Sequence, residues 1–142
     1  MKTRSTTTLL SRTHRLGATL SAGLLAALTL GCETATVNGR VVEGRISTAV
    51  AAGPEDERLN EPGIEGAEVR MLTERGSQLA SATTDASGEF RMSYPLAQTD
   101  RVLIVARKDG YLECRARLFA PRTPDAPLLV LLEPLGSSDA DD

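Results

Sequence analysis

From residue 36 onward, apolar and polar positions alternate in short runs that are broken by Gly, Pro and Asp. A period of two puts successive side chains on opposite faces of an extended chain, so each run predicts a strand with one buried face. In 36–42, Val37, Gly39 and Val41 share a side. Ala67, Val69 and Met71 alternate with Glu68 and Arg70, and Phe90, Met92 and Tyr94 alternate with Glu89, Arg91 and Ser93. Small and β-branched residues over 79–84 predict a further strand. The run 102–106 is apolar without interruption, which predicts a central strand covered on both faces. In 111–119, Leu112, Cys114, Ala116 and Leu118 alternate with Glu113, Arg115 and Arg117, and 128–132 is a last apolar strand.

The breaks between the runs carry turn chemistry. Glu74-Arg-Gly76, Asp85-Ala-Ser-Gly88 and Lys108-Asp-Gly110 read as tight turns, and Pro121, Pro124 and Pro127 break up the loop before the last strand. Asp85 is placed to accept backbone N–H groups two residues on, and Gly88 is free to take a positive φ, so the pair predicts a structural turn. A calcium role for Asp85 fails on ligand number, because one neighbouring Glu89 falls short of the roughly six to eight oxygens that calcium takes. The stretch 44–63, rich in Gly, Pro, Ala and charge, reads as a long exposed loop with at most a short strand over 46–50. The acidic end, 135–142, reads as a disordered tail. Seven strands without a helical period predict an all-β fold, a seven-stranded antiparallel β-sandwich.

The first 31 residues have a different pattern. Lys2, Arg4, Arg12 and Arg15 precede an uncharged Leu/Ala-rich run over 16–30, which stops at Gly31-Cys32. This order of charge, apolar run and small residue is the layout of an export signal. The run is too short, and too diluted by Gly17, Thr19, Ser21 and Gly23, for a permanent span of about 20 apolar residues. No A-x-A-like cleavage site competes with Gly31-Cys32. The junction resembles a bacterial lipoprotein signal. That resemblance implies cleavage between Gly31 and Cys32, acylation of Cys32 and a membrane anchor reaching the fold through a short tether at 32–35. It also implies a place in the cell envelope. Thr29 stands where such signals usually carry Leu, and Glu33 rather than Asp follows the cysteine, which favours the outer membrane.

Without the leader, 111 of the 142 residues remain, enough for one domain. The sixteen Lys and Arg lose four to the leader, leaving twelve against nineteen Asp and Glu, a net charge of −7. Such a domain repels phosphate backbones, which argues against nucleic acid as a partner. The lone histidine, His14, lies in the leader, so the remainder has no imidazole for zinc or for a Ser-His-Asp or Cys-His nucleophile. The sequence therefore predicts no enzyme, no cofactor and no metal. With Cys32 acylated, Cys114 has no partner in the chain, and its alternating neighbours place it inward as a small core thiol. Without acylation, a Cys32–Cys114 disulfide is the alternative.

Four segments in order carry a second resemblance. They are Val37-x-Gly39-x-Val41, Ile64-Glu-Gly-Ala-Glu-Val-Arg70, Thr83-Thr-Asp-Ala-Ser-Gly-Glu-Phe90 and Val105-Ala-Arg-Lys-Asp-Gly-Tyr111. Over 36–134 the chain resembles the carboxypeptidase regulatory-like domain, which implies a transthyretin-like (prealbumin-like) seven-stranded sandwich. In the peptidases of that group catalysis belongs to a separate zinc domain, and the transthyretin-fold hydrolase of purine breakdown relies on histidines. The isopeptide crosslink of related adhesin sandwiches needs an early Lys and a late Asn. Here Arg40 stands early and no Asn follows Asn60.

The expected role is accessory or structural: an envelope sandwich that meets a protein or glycan through an exposed sheet edge or the acidic 51–61 loop. The alternative is a carbohydrate-binding or adhesion module exported without a lipid. For that reading Tyr111 and Phe119, on the outward face of their strand beside Arg115 and Arg117, are the candidate ligand platform.

Overall fold

The structure, a computed structural model, describes residues 33–96, 100–122 and 126–136. The leader, the Gly31-Cys32 junction and the end of the tail lie outside the described residues. Among the described residues eight strands form: β1 (Thr34–Glu43), β2 (Thr48–Ala51), β3 (Glu68–Thr73), β4 (Gln78–Thr83), β5 (Glu89–Pro95), β6 (Arg101–Arg107), β7 (Cys114–Phe119) and β8 (Leu128–Leu132), with a turn of 3-10 helix, Glu57–Asn60. They make two four-stranded sheets. Sheet A has the order β2-β8-β1-β5 and sheet B the order β4-β3-β6-β7. The fold is an all-β sandwich.

The alternation accounts for the core. Val37, Val41, Met92, Tyr94, Val130 and Leu132 from sheet A meet Val69, Met71, Val102 and Ile104 from sheet B in one buried cluster. Gly39 pairs with Phe90 across β1 and β5. A Cβ at Gly39 would run into the Phe90 ring, so the missing side chain is the space the ring occupies.

The strand count and the antiparallel expectation both need correcting. The eighth strand is β2, which overlaps the short strand allowed over 46–50 within the long loop, and it pairs antiparallel with β8. β8 is buried at every position, so it needs a neighbour on each edge; β2 covers one and β1 the other. The β1–β8 pairing is parallel, with Val41 beside Val130. β8 enters from the end where β7 finishes, and so runs in the same direction as β1. The rest of 44–63 is also folded. Ala52, Val50 and Leu59 pack with Val42, Leu129 and Leu131 in a second cluster on the outer face of sheet A.

Two further expectations change. The run 111–119 is a strand only from Cys114, because 110–112 crosses toward the end of β8. The Leu112 N–H donates to the Glu133 carbonyl at 2.8 Å and the Leu135 N–H to that of Gly110 at 2.8 Å. Leu112 is therefore exposed rather than inward. The Asp85 turn joins strands of different sheets, so it is a corner between layers and not a hairpin within one.

Strand directions define two ends. The proximal end, where β1 begins, holds Glu33, Thr34, Pro95, Arg101 and Phe119. It is tied by the Leu96 N–H donating to the Glu33 carbonyl at 2.9 Å, the Ala120 N–H to that of Asp100 at 2.9 Å, and the Tyr94 hydroxyl to that of Pro121. The distal end, where β1 finishes, holds Glu43, the Asp85 corner and the 108–113 crossing. There the Ser47 hydroxyl donates to the Leu112 carbonyl at 2.9 Å and accepts the Glu133 N–H at 3.0 Å.

Candidate functional site

The Asp85 corner is structural in its geometry. Asp85 Oδ1 accepts the Ser87 N–H at 2.9 Å, the Ser87 hydroxyl at 2.7 Å and the Glu89 N–H at 2.9 Å. These donors, led by the Ser87 hydroxyl, hold the carboxyl below its ordinary value, because each stabilises the charged form. Gly88 takes φ +78°. The backbone of Gly63 lies so close that a Cβ there would run into the Ser87 carbonyl, which packs the corner against the start of the 63–67 segment. Thr84, the one buried polar residue among those described, donates to the Ile64 carbonyl at 2.6 Å and accepts the Ala67 N–H at 2.8 Å. Among the described residues no three His, Cys, Asp or Glu side chains gather as a metal would need.

Beside this corner an open groove of about 640 Å³ runs along the β5 edge, lined by Asn38, Arg40, Leu59, Asp85, Glu89 and Arg91 among others. Its charges answer one another. Arg40 Nη1 lies 3.9 Å from Glu89 Oε1, while Arg40 Nε is buried with no hydrogen-bond partner. A second concavity of about 500 Å³ at the distal end is lined by Tyr111, Arg107, Lys108 and Glu113 with Glu68 and Asp109.

The two rings proposed as a platform do not share a face. Phe119 ends β7 opposite Arg101 at the proximal end, and its ring is 72% exposed. Tyr111 precedes β7 at the distal end and packs against the core, with its hydroxyl 3.4 Å from Glu43 Oε2. Burial, with the Glu43 charge behind it, raises the Tyr111 phenol. Arg115 and Arg117 do point outward from β7 beside Phe119, in alternation with Cys114, Ala116 and Leu118. Cys114 is free and fully buried, and burial pushes its thiol up to about 11.

The pairing register assembles what the sequence alone did not: an arginine-rich outer face on sheet B. Arg70, Val105 and Arg115 form one row across β3, β6 and β7; Leu72, Leu103 and Arg117 form the next; Arg101 and Phe119 close it. Val105 faces outward yet is only 2% exposed, and it stands between Arg70 and Arg115 in its row. Glu113 is hydrogen-bonded by Arg107 and, at 3.2 Å, by Arg115, and chiefly the Arg107 bond holds its carboxyl below the usual range. Arg70 lies 3.8 Å from Glu68. The five arginines of this face, counting Arg107, outnumber Glu68 and Glu113 in a domain of net negative charge. The guanidinium carbon of Arg101 sits 5.3 Å from the centroid of the Phe119 ring, a cation–π distance. The signal for Arg70 and Arg107 lay in their strand phase, but bringing them together with Arg115 needed cross-strand register.

No helix among the described residues is long and apolar enough to cross a membrane. Compared with known protein families and with curated proteins, the chain matches none.

Proposed function

We propose that the chain is exported, acylated on Cys32 and held at the envelope membrane, where it acts as a non-enzymatic module with an accessory, structural or protein-binding role. In this reading the sandwich is a carboxypeptidase regulatory-like domain of the transthyretin type, at the outer membrane facing the periplasm or at the cell surface. One observation carries it. The apolar run of the leader stops at Gly31-Cys32, and only Glu33 separates that cysteine from β1. An anchor and a folded domain are then adjacent, with no room for a catalytic unit between them. The arginine face of sheet B supports a binding role, since partly buried leucines set among guanidinium groups suit an acidic segment of another protein.

The carbohydrate reading loses its two-ring platform, because Tyr111 and Phe119 lie at opposite ends. Mass spectrometry of the N-terminal peptide tests the anchor. The expected result is a mature chain that begins at a diacylglyceryl-modified Cys32. An unmodified Cys32, a start elsewhere, or normal processing under globomycin removes the reading.

A further inference from the structure

We infer that the free edge of β7 takes an added strand: an extended segment of another protein in which acidic and apolar residues alternate. The inference rests on the protein-binding role proposed above and supplies the surface and the chemistry of the partner. Hydrogen-bond phase locates the edge. The Ala120 N–H donates to the Asp100 carbonyl at 2.9 Å, and β7 pairs with β6 from Cys114 opposite Ala106 to Phe119 opposite Arg101. In an antiparallel pair, opposed residues alternate between those that exchange both bonds and those that exchange none. Ala120, Leu118, Ala116 and Cys114 therefore bond toward β6, while Arg115, Arg117 and Phe119 each turn an N–H and a carbonyl away from the sheet. β7 is the last strand of sheet B, and no backbone bond among the described residues reaches those groups. The other edges are occupied or short. On β5, the Glu89 N–H goes to Asp85 Oδ1, the Glu89 carbonyl accepts the Asp85 N–H, and Pro95 has no N–H to give. β4 meets β3 through a bulge, and β2 has four residues.

The two faces of this edge specify the occupant. Outward, β7 presents Arg115, Arg117 and Phe119, and β6 beside it presents Arg101 and Arg107. Arg107 and Arg115 share the carboxylate of Glu113, and the Arg101 guanidinium lies 5.3 Å from the Phe119 ring centroid. The outward charges here are thus four arginines against Glu113, while on β3 Arg70 and Glu68 offset each other at 3.8 Å. Both ends of the sandwich carry further charges of both signs, including Glu33, Asp100 and Arg122 at one and Arg45, Lys108 and Glu133 at the other. The excess therefore belongs to the strand face and not to an end. Inward, Ala116 and Leu118 are only partly buried and pack against the core. A strand laid antiparallel beside β7, as every pair in sheet B is, sets one side opposite Arg115 and Arg117 and the other beside Ala116 and Leu118. Carboxylates suit the first and aliphatic side chains the second, so main-chain bonds hold the segment and its alternation selects it. A second copy is disfavoured, because two β7 edges paired antiparallel bring Arg117 opposite Arg115 or itself. Charge on an edge often serves only to repel other strands, but an edge of that kind has no use for a ring that is 72% exposed.

The probe is a short labelled peptide of alternating glutamate and valine, titrated by fluorescence anisotropy into the full-length protein as cells produce it, purified in mild detergent. It should bind at least about fivefold more tightly than a peptide of the same composition with its glutamates grouped. N-methylation of the glutamates removes the N–H groups that face Arg115, Arg117 and Phe119 and should abolish binding, whereas N-methylation of the valines should spare it. Arg117→Ala should weaken binding at least about threefold. Equal binding of the grouped peptide, or indifference to N-methylated glutamates, reduces the contact to charge attraction and overturns the added strand. Absence of binding overturns it too. A photo-crosslinker placed in cells at Phe119, and separately at Glu57 on the cover of sheet A, separates this inference from the wider reading. Adducts at Phe119 that map to an alternating acidic stretch are expected, and adducts there with any other kind of segment overturn the inference. Adducts from Glu57 alone overturn the edge and leave a protein-binding role standing. Adducts from neither position overturn both. An adduct of Phe119 with a second copy of the chain assigns the edge to self-association and also overturns the inference.

Discussion

The outer faces of the two sheets solve the same problem in opposite ways. Each carries apolar side chains that the sandwich core does not bury. On sheet A, Val42, Leu129 and Leu131 lie beneath a piece of the chain itself, the segment that brings Ala52 and Leu59 onto them. On sheet B, Leu72 and Leu103 are only partly buried, and with Val105 they lie among Arg70, Arg115 and Arg117. The first arrangement removes apolar area from water by folding. The second leaves Leu72 and Leu103 partly in water, beside arginines. Sheet A thereby spends its outer face on stability, while sheet B keeps its own available for contact. The comparison separates a packed region from a presenting one within a single small domain.

The largest expected effect lies on the covered side. Leu129→Ala opens a cavity under the cover and should cost about 3 kcal/mol in urea unfolding. The matching change on the other face, Leu103→Ala, should cost under about 1 kcal/mol, because its site is only half buried. Equal losses would erase the contrast between the faces.

Lifting the cover comes next. Leu59→Ser should destabilise by about 1–2 kcal/mol and raise the binding of a hydrophobic dye, as water reaches Val42 and Leu131. Unchanged stability would mean that the 52–61 segment does not protect the face. The double change Arg70→Ala with Arg115→Ala removes the side chains flanking Val105 in its row and should cost less, about 0.5–1 kcal/mol. It also bears on binding, since an acidic partner of sheet B should lose affinity while the fold persists.

The smallest effect concerns pH. The Cys114 thiol is raised from 9.0 to about 11 in the fold by burial. A group raised in this way stabilises the fold fully below its unfolded value, and that contribution is lost as pH climbs through the folded value. Stability should therefore decline between about pH 9 and 11 in the native chain and decline less in Cys114→Ala. Iodoacetamide should label Cys114 slowly in the native protein and rapidly in denaturant; fast native labelling would contradict the inward placement.

The inward faces were legible residue by residue. Val69 and Met71, Phe90 and Met92, and Cys114 with Ala116 follow a strict two-residue period that burial enforces locally. The Asp85 corner was legible as a turn, because the Asp side chain and the Gly88 φ act over four residues. Its role as a link between sheets was not, since a turn reads alike whether its strands pair with each other or with third parties. β2 was legible only as an optional short strand over 46–50, because four residues of Thr, Ala and Val say little until β8 lies beside them. Tyr111 was misplaced because alternation was extended past Cys114 into a segment whose partner is Glu133 and Pro134, some twenty residues on.

By itself the sequence determined the all-β class, most of the inward side chains and the absence of imidazole beyond the leader. Those properties depend on composition and on neighbours a few positions apart. Only the tertiary structure decided which strands pair, that β8 runs parallel to β1, that five arginines share one face and that Phe119 stands at the end where β1 begins. Register and layer assignment follow from the burial of many side chains at once, and no local run of residues contains that sum.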